Sequence, residues 1–199
     1  AIAFVYLSVI FIKGKHYAKA IVSFLISFSF HQSSVFAIPL LAMEFVSFKI
    51  PHRLCLTIVI LTLIAYISGI GTSTSHYVAA AIGVLSTKFP DILFFNWAEN
   101  GASDLSSMGI SFSRLFYFIA LLYCIIQSSE RYVSSYVLYA AIGLMIQTFF
   151  GGVPLTIRVS EFYLISIIAV LYRVRVSISN NRLINQILVV SVPSLLFYI

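Results

Sequence analysis

Long apolar runs alternate with short charged punctuation along this chain. Residues 1 to 12 are apolar, and KGKHYAK (13 to 19) is basic. Residues 20 to 48 are apolar except for a polar interruption at 31 to 34 and Glu44, and KIPHR (49 to 53) is basic again. Residues 54 to 70 are apolar, 71 to 110 are mixed, with Lys88, Asp91, Glu99 and Asp104, and 111 to 127 are apolar. SSER (128 to 131) precedes an apolar run to 150, a GGVP break (151 to 154), and a run to 172 that holds Arg158 and Glu161. The basic RVRVSISNNR (173 to 182) leads into a last apolar run. Runs of this length predict helices, and a helix of roughly 20 residues crosses a bilayer. The pattern predicts an all-α polytopic membrane protein, a bundle of about eight transmembrane helices.

Composition points the same way. Hydrophobic residues make up 61% of the chain and charged residues 9%, and the mean hydropathy is +1.05; soluble domains are about half apolar. The first residue is not Met, and both ends lie inside apolar runs, so the chain reads as a fragment truncated at both ends, with one transmembrane domain over residues 1–199. No basic stretch precedes the first run and no small-residue cleavage site follows it, which excludes a signal peptide reading.

A net charge of +6 here reports loop sidedness rather than a nucleic-acid partner. The segments 13–19, 49–53, 128–131 and 173–182 carry nine of the twelve Lys and Arg residues. Assigned to the cytoplasm, they leave 71–110 as an extracytoplasmic loop. Residues 76 to 88 read there as a short interfacial helix or, equally, a short core helix, with Trp97 as an interfacial anchor. Cys55 and Cys124 have no CxxC or Cys/His neighbours, so two reduced thiols, no metal site and no cofactor are expected.

Basic segments flank residues 20 to 48 on both sides. One straight helix of that length rises about 43 Å, too long for a hydrocarbon core of about 30 Å. A hairpin of two short helices fits better, with His31, Gln32, Ser33 and Ser34 at its tip. There Ser33 or Ser34 caps the second helix, and Pro39 bends it. The tip lies about 18 Å above Lys19. Arg158 lies about 22 Å above Arg173, and Arg114 about 25 Å above Arg131, by the same rise. One histidine and two arginines therefore share a depth in the outer leaflet, where ionisable groups are costly and point to function. The bland alternatives are an Arg158–Glu161 pair at i,i+3, Arg114 snorkelling to headgroups, and a helix-end role for His31. Glu44 reads as a partner of Lys49, and His76 as a second-tier candidate. The chemistry suggested is an anion clamp beside a proton acceptor. No HExxH, GxSxG, Walker or DxD motif is present.

FHQSSVFAIPLL resembles the H-x-S-A segment of the EpsG/Wzy-type polysaccharide polymerases, with Ser34 where that family usually has Ala. IRVSEFYLISIIAVLY resembles the family's later Arg-x-x-x-Tyr/Phe segment through Arg158, Phe162 and Tyr163. The opening AIAFVYLS looks like the run that follows an Arg-Gln pair in that family. The resemblance implies a GT-C-like, metal-independent glycosyltransferase of the bacterial cytoplasmic (inner) membrane, multi-pass. Such an enzyme polymerises polyprenyl-diphosphate-linked oligosaccharide repeat units for O-antigen, capsule or exopolysaccharide. In that reading His31 is the catalytic base or orients the acceptor. Arg158 clamps the diphosphate, with Arg114, Gln32, Ser33 and Tyr163 as further substrate-binding residues and His76, Glu161 and Trp97 behind them. The partners implied are the lipid-linked oligosaccharide, the lipid bilayer, and chain-length regulator and flippase proteins. A transporter or flippase for lipid-linked sugars, or a sugar ligase or acyltransferase, is the alternative.

Overall fold

Several helices begin or end next to a left-handed residue or a proline. In the computed structural model, residues 1–88, 111–128, 130–151 and 154–178 are described. Their regular elements are α1 (Ile2–Lys13), α2 (Tyr17–Phe30), a 3₁₀ helix (Gln32–Ala37), α3 (Ile38–Phe45), α4 (His52–Ile67) and α5 (Ile70–Lys88), followed by α6 (Phe112–Gln127), α7 (Ser135–Phe150), α8 (Pro154–Leu164) and α9 (Ile167–Ile178). Lys15 (φ 58°) follows α1, Ser47 (φ 53°) follows α3, and Gly69 (φ 74°) separates α4 from α5. Left-handed residues of this kind stop a helix. Pro51 stands at the N-cap of α4, a position that needs no amide hydrogen.

These breaks correct the fold expected from the sequence. Among the described residues no single helix is long and apolar enough to cross a membrane. The apolar helices run from 8 residues in α3 to 16 in α4, or about 12 to 24 Å at the α-helical rise. The 19-residue α5 is longer, but Gly71, Thr72, Ser73, Thr74, Ser75 and His76 make its first half polar. One pair, α4 with α5, passes together by length and composition, bent by 81° at the Ser68–Gly69 break. The bundle of about eight transmembrane helices and its multi-pass, GT-C-like architecture are therefore replaced by an all-α arrangement of short helices. The apolar runs had concealed their own interruptions. The multi-pass bacterial inner-membrane localisation that the resemblance implied finds no such spans among the described residues and is corrected with them.

The core is organised around α7. Half of its sixteen residues are buried, as expected of a helix that is apolar all round. Leu138 and Leu144 join a core with Val59 and Tyr66 of α4, Phe118, Leu121 and Ile125 of α6, and Ile167 and Val170 of α9. Tyr139 turns to a second core with Val5 and Val9 of α1, Ala37, Leu40 of α3, and Phe162 and Tyr163 of α8. Two glycines set the closest approaches. A Cβ at Gly143 would meet Leu164 Cγ at 2.9 Å and its backbone nitrogen at 3.0 Å, and one at Gly71 would meet Thr148 Cγ2 at 2.6 Å. Thus α8 and α5 lie hard against α7 only because no side chain intervenes. The helix containing residues 76 to 88 starts at Ile70 and packs on α7 and α4.

Candidate functional site

The polar interruption after Phe30 ends α2 and opens the 3₁₀ helix. His31 is extended (φ −160°, ψ 118°). Its amide donates to the Ser27 carbonyl (3.1 Å), and its own carbonyl accepts from the Ser34 amide (3.0 Å). Ser34 is fully buried. Its hydroxyl lies 2.8 Å from that of Ser27 and 3.2 Å from the Ser27 carbonyl, while the Ser27 hydroxyl donates to the Ala1 carbonyl at 2.8 Å. Ser34 thus ties the 3₁₀ helix to α2 and the start of α1 instead of capping α3. Ala37 is the N-cap of α3 and makes no side-chain cap bond, and Pro39 sits in the first turn, where it leaves no helical bond broken.

The 3₁₀ helix packs on α8, which carries Arg158. His31, Gln32 and Arg158 are exposed, and Ser33 lies within the 3₁₀ helix. Arg114 is half-buried in the first turn of α6. Glu161 is half-buried too; burial raises its carboxyl pKa, and Arg158 partly opposes the shift. Tyr163 is buried in the second core, with its phenol raised by burial. His76 is exposed on α5, and Trp97 lies outside the described residues. Neither of the cavities described next is lined by His31 or Arg158. With no single helix among the described residues long and apolar enough to span a membrane, the outer-leaflet height that grouped His31, Arg114 and Arg158 loses its frame. The membrane-embedded polymerase built on that height, and its flippase and ligase alternatives, are corrected accordingly.

Two adjoining concavities lie elsewhere. The first is an apolar groove of about 350 Å³ between α2 and α3, floored by α1. Ser8 and Ile12 come from α1, Ala20, Ile21 and Phe24 from α2, and Ile38, Leu41 and Ala42 from α3. The Tyr17 and Phe45 rings meet edge to face at 5.4 Å at one end of this groove. The Ser27–Ser34 contact joins α2 to the 3₁₀ helix at the other. Outside the groove Val22, Leu25, Leu54, Leu61 and Ile64 also stand exposed.

The second is a polar cavity of about 430 Å³ where Lys13, Lys49 and Arg131 of three basic segments converge. Pro51 and Tyr132 form an antiparallel bridge there, with the His52 amide donating to the Arg131 carbonyl (3.1 Å) and the Val133 amide to the Ile50 carbonyl (3.2 Å). Lys13, Glu44, Lys49, Glu130, Arg131 and Ser134 line it. Lys13 Nζ stands 3.4 Å from Glu44 Oε1 and 4.0 Å from the centre of the Tyr136 ring. The Tyr139 hydroxyl donates to Glu44 Oε2. Burial, reinforced by the Glu44 carboxylate, raises the Tyr139 phenol pKa well above its ordinary value. The helical spacing that suggested a Glu44–Lys49 pair does not apply, because the left-handed Ser47 turns the chain between them.

In the sequence Lys13 and Arg131 read as separate loop charges and Lys49 as the partner of Glu44, with nothing to mark Tyr136 or Tyr139. The available signal was Glu44, a lone acid inside an apolar run, which needs a cation and a donor if it is buried. The chain matches no family model, no curated protein and no solved structure in the three comparisons made.

Proposed function

We propose that this chain binds an amphiphile with an anionic head, placing its hydrocarbon tail in the α1–α2–α3 groove and its head in the basic cavity. One observation carries this reading. Consecutive residues at the end of α3 divide between the two concavities: Phe45 and Val46 line the groove, while Glu44, Ser47 and Phe48 line the polar cavity. The two sites therefore share a wall, and a molecule apolar at one end and anionic at the other matches both. The groove offers hydrocarbon and no competing polar side chain beyond Ser8 and the Tyr17 hydroxyl. Cations outnumber acids three to two around the cavity, and Lys13 already answers Glu44.

Tail burial sets a measurable scale. Each buried methylene contributes about 0.8 kcal/mol, or roughly fourfold in affinity. The test is a series of alkyl phosphates of increasing chain length, titrated against the full chain held in a neutral amphipathic polymer. Affinity is expected to rise by roughly that factor per methylene until the groove is filled. Ala42 is exposed and lines the groove, so Ala42→Trp fills the space without entering the core. That variant is expected to lose the chain-length dependence. Unchanged dependence in Ala42→Trp contradicts the reading.

A further inference from the structure

The cations of the polar cavity are not equivalent. Lys13 is engaged by Glu44 and stacked over Tyr136. Lys49 and Arg131 form no ion pair among the described residues. Both are exposed, and both lie over one ring: Lys49 Nζ is 5.9 Å and the Arg131 guanidinium carbon 5.6 Å from the centre of Tyr132. Tyr132 thus gathers two uncommitted positive charges from separate segments at one wall of the cavity.

The start of α7 forms another part of that wall. Ser134, Ser135 and Tyr136, the N-cap and first two residues of the helix, line the cavity. Ser134 makes no side-chain cap bond. Its Oγ is buried and has no hydrogen-bond partner among the described residues. The first intrahelical acceptor, the Ser134 carbonyl, serves Leu138 (3.0 Å), so the amides of Ser135, Tyr136 and Val137 have no acceptor within the helix. A buried hydroxyl left unbonded is costly, and so is an uncapped helix start. An oxyanion seated there relieves both, and the helix dipole favours it.

We infer that this cavity is a binding site for a phosphoryl group, with Lys49, Arg131, the first amides of α7 and the Ser134 hydroxyl as its donors. The donor set selects phosphoryl over carboxylate. A guanidinium fork, an ammonium, backbone amides and a hydroxyl approach from different segments, which suits a tetrahedral oxyanion with several oxygens better than a planar one with two. At about 430 Å³ the cavity also leaves room for a substituent on the phosphoryl group. Glu44 does not oppose the anion, being held by Lys13 and Tyr139. Glu130 is exposed. As the head site of the proposed amphiphile this inference rests on that reading, but the donors act on phosphoryl oxygens whether or not a tail is attached.

The test compares decyl phosphate, decanol and inorganic phosphate on the full chain. Wild type is expected to prefer decyl phosphate over decanol, with inorganic phosphate displacing the head, and the preference is expected to weaken as salt screens the cations. Lys49→Ala with Arg131→Ala should lower decyl phosphate affinity roughly tenfold per cation removed and leave decanol binding unchanged. Ser134→Ala should lower it by a smaller factor. Equal binding of decanol and decyl phosphate by wild type, or wild-type affinity in the double variant, overturns the phosphoryl site. In Ala42→Trp, a phosphate preference that persists with no chain-length dependence lost sinks the groove while sustaining this site.

Discussion

The Tyr139 hydroxyl donates to the Glu44 carboxylate, joining positions 95 residues apart in the chain. Tyr139 is 1% exposed, and the Glu44 side chain is only 9% exposed. Removing the hydroxyl leaves a buried carboxylate oxygen short of a donor, which costs more than an average neutral hydrogen bond. Tyr139→Phe is therefore expected to destabilise the fold by roughly 1.5–3 kcal/mol, measured by denaturant unfolding. Combined with Glu44→Gln, it should show a coupling above roughly 0.5 kcal/mol. Additive effects would mean that the two side chains act independently.

Helix spacing around α7 gives a second expectation, with a control built in. At Gly143 a methyl group meets both the side chain and the backbone of Leu164. Gly143→Ala should therefore push α8 from α7 and cost roughly 1–3 kcal/mol. At Gly83 in α5 a Cβ meets nothing within 4 Å. Gly83→Ala should stabilise by roughly 0.5–1 kcal/mol, because alanine restricts the unfolded chain and favours helix. Thermal unfolding of the two variants should move in opposite directions; a shared sign would contradict the packing described.

The helical class of the chain was legible in its apolar runs, and the interruption at His31 to Ser34 did mark a real break. Helix length was not legible. Hydropathy runs straight through Ser68 and Gly69, while the backbone there turns by 81°. A run of apolar residues sets how much surface must be covered, but φ at one glycine sets where the helix stops. The polar cavity was hidden for a different reason. Lys13, Glu44 and Tyr136 meet only after α1, α3 and α7 are packed, and contacts of such separation leave no period in the sequence. What the sequence does offer are local pairs, Glu44 with Lys49 and, as the bland alternative to a functional Arg158, Arg158 with Glu161. Arg158 forms no ion pair with Glu161 among the described residues, and its charge only partly opposes the burial that raises the Glu161 carboxyl. Glu44 pairs with Lys13 rather than Lys49, the left-handed Ser47 having ended the helix between Glu44 and Lys49.

In the proposed complex the groove between α2 and α3 holds a hydrocarbon tail whose anionic head lies at Lys49 and Arg131. The most direct measurement is photolabelling of the full chain with decyl phosphate bearing a diazirine near the tail end, followed by mass spectrometric mapping of the modified residues. Labels are expected on Ile21, Phe24, Ile38 and Leu41, which line the groove, and are expected to be displaced by unmodified decyl phosphate. Labels confined to the outer faces at Leu25, Leu61 and Ile64, which stand exposed away from it, would contradict the claim.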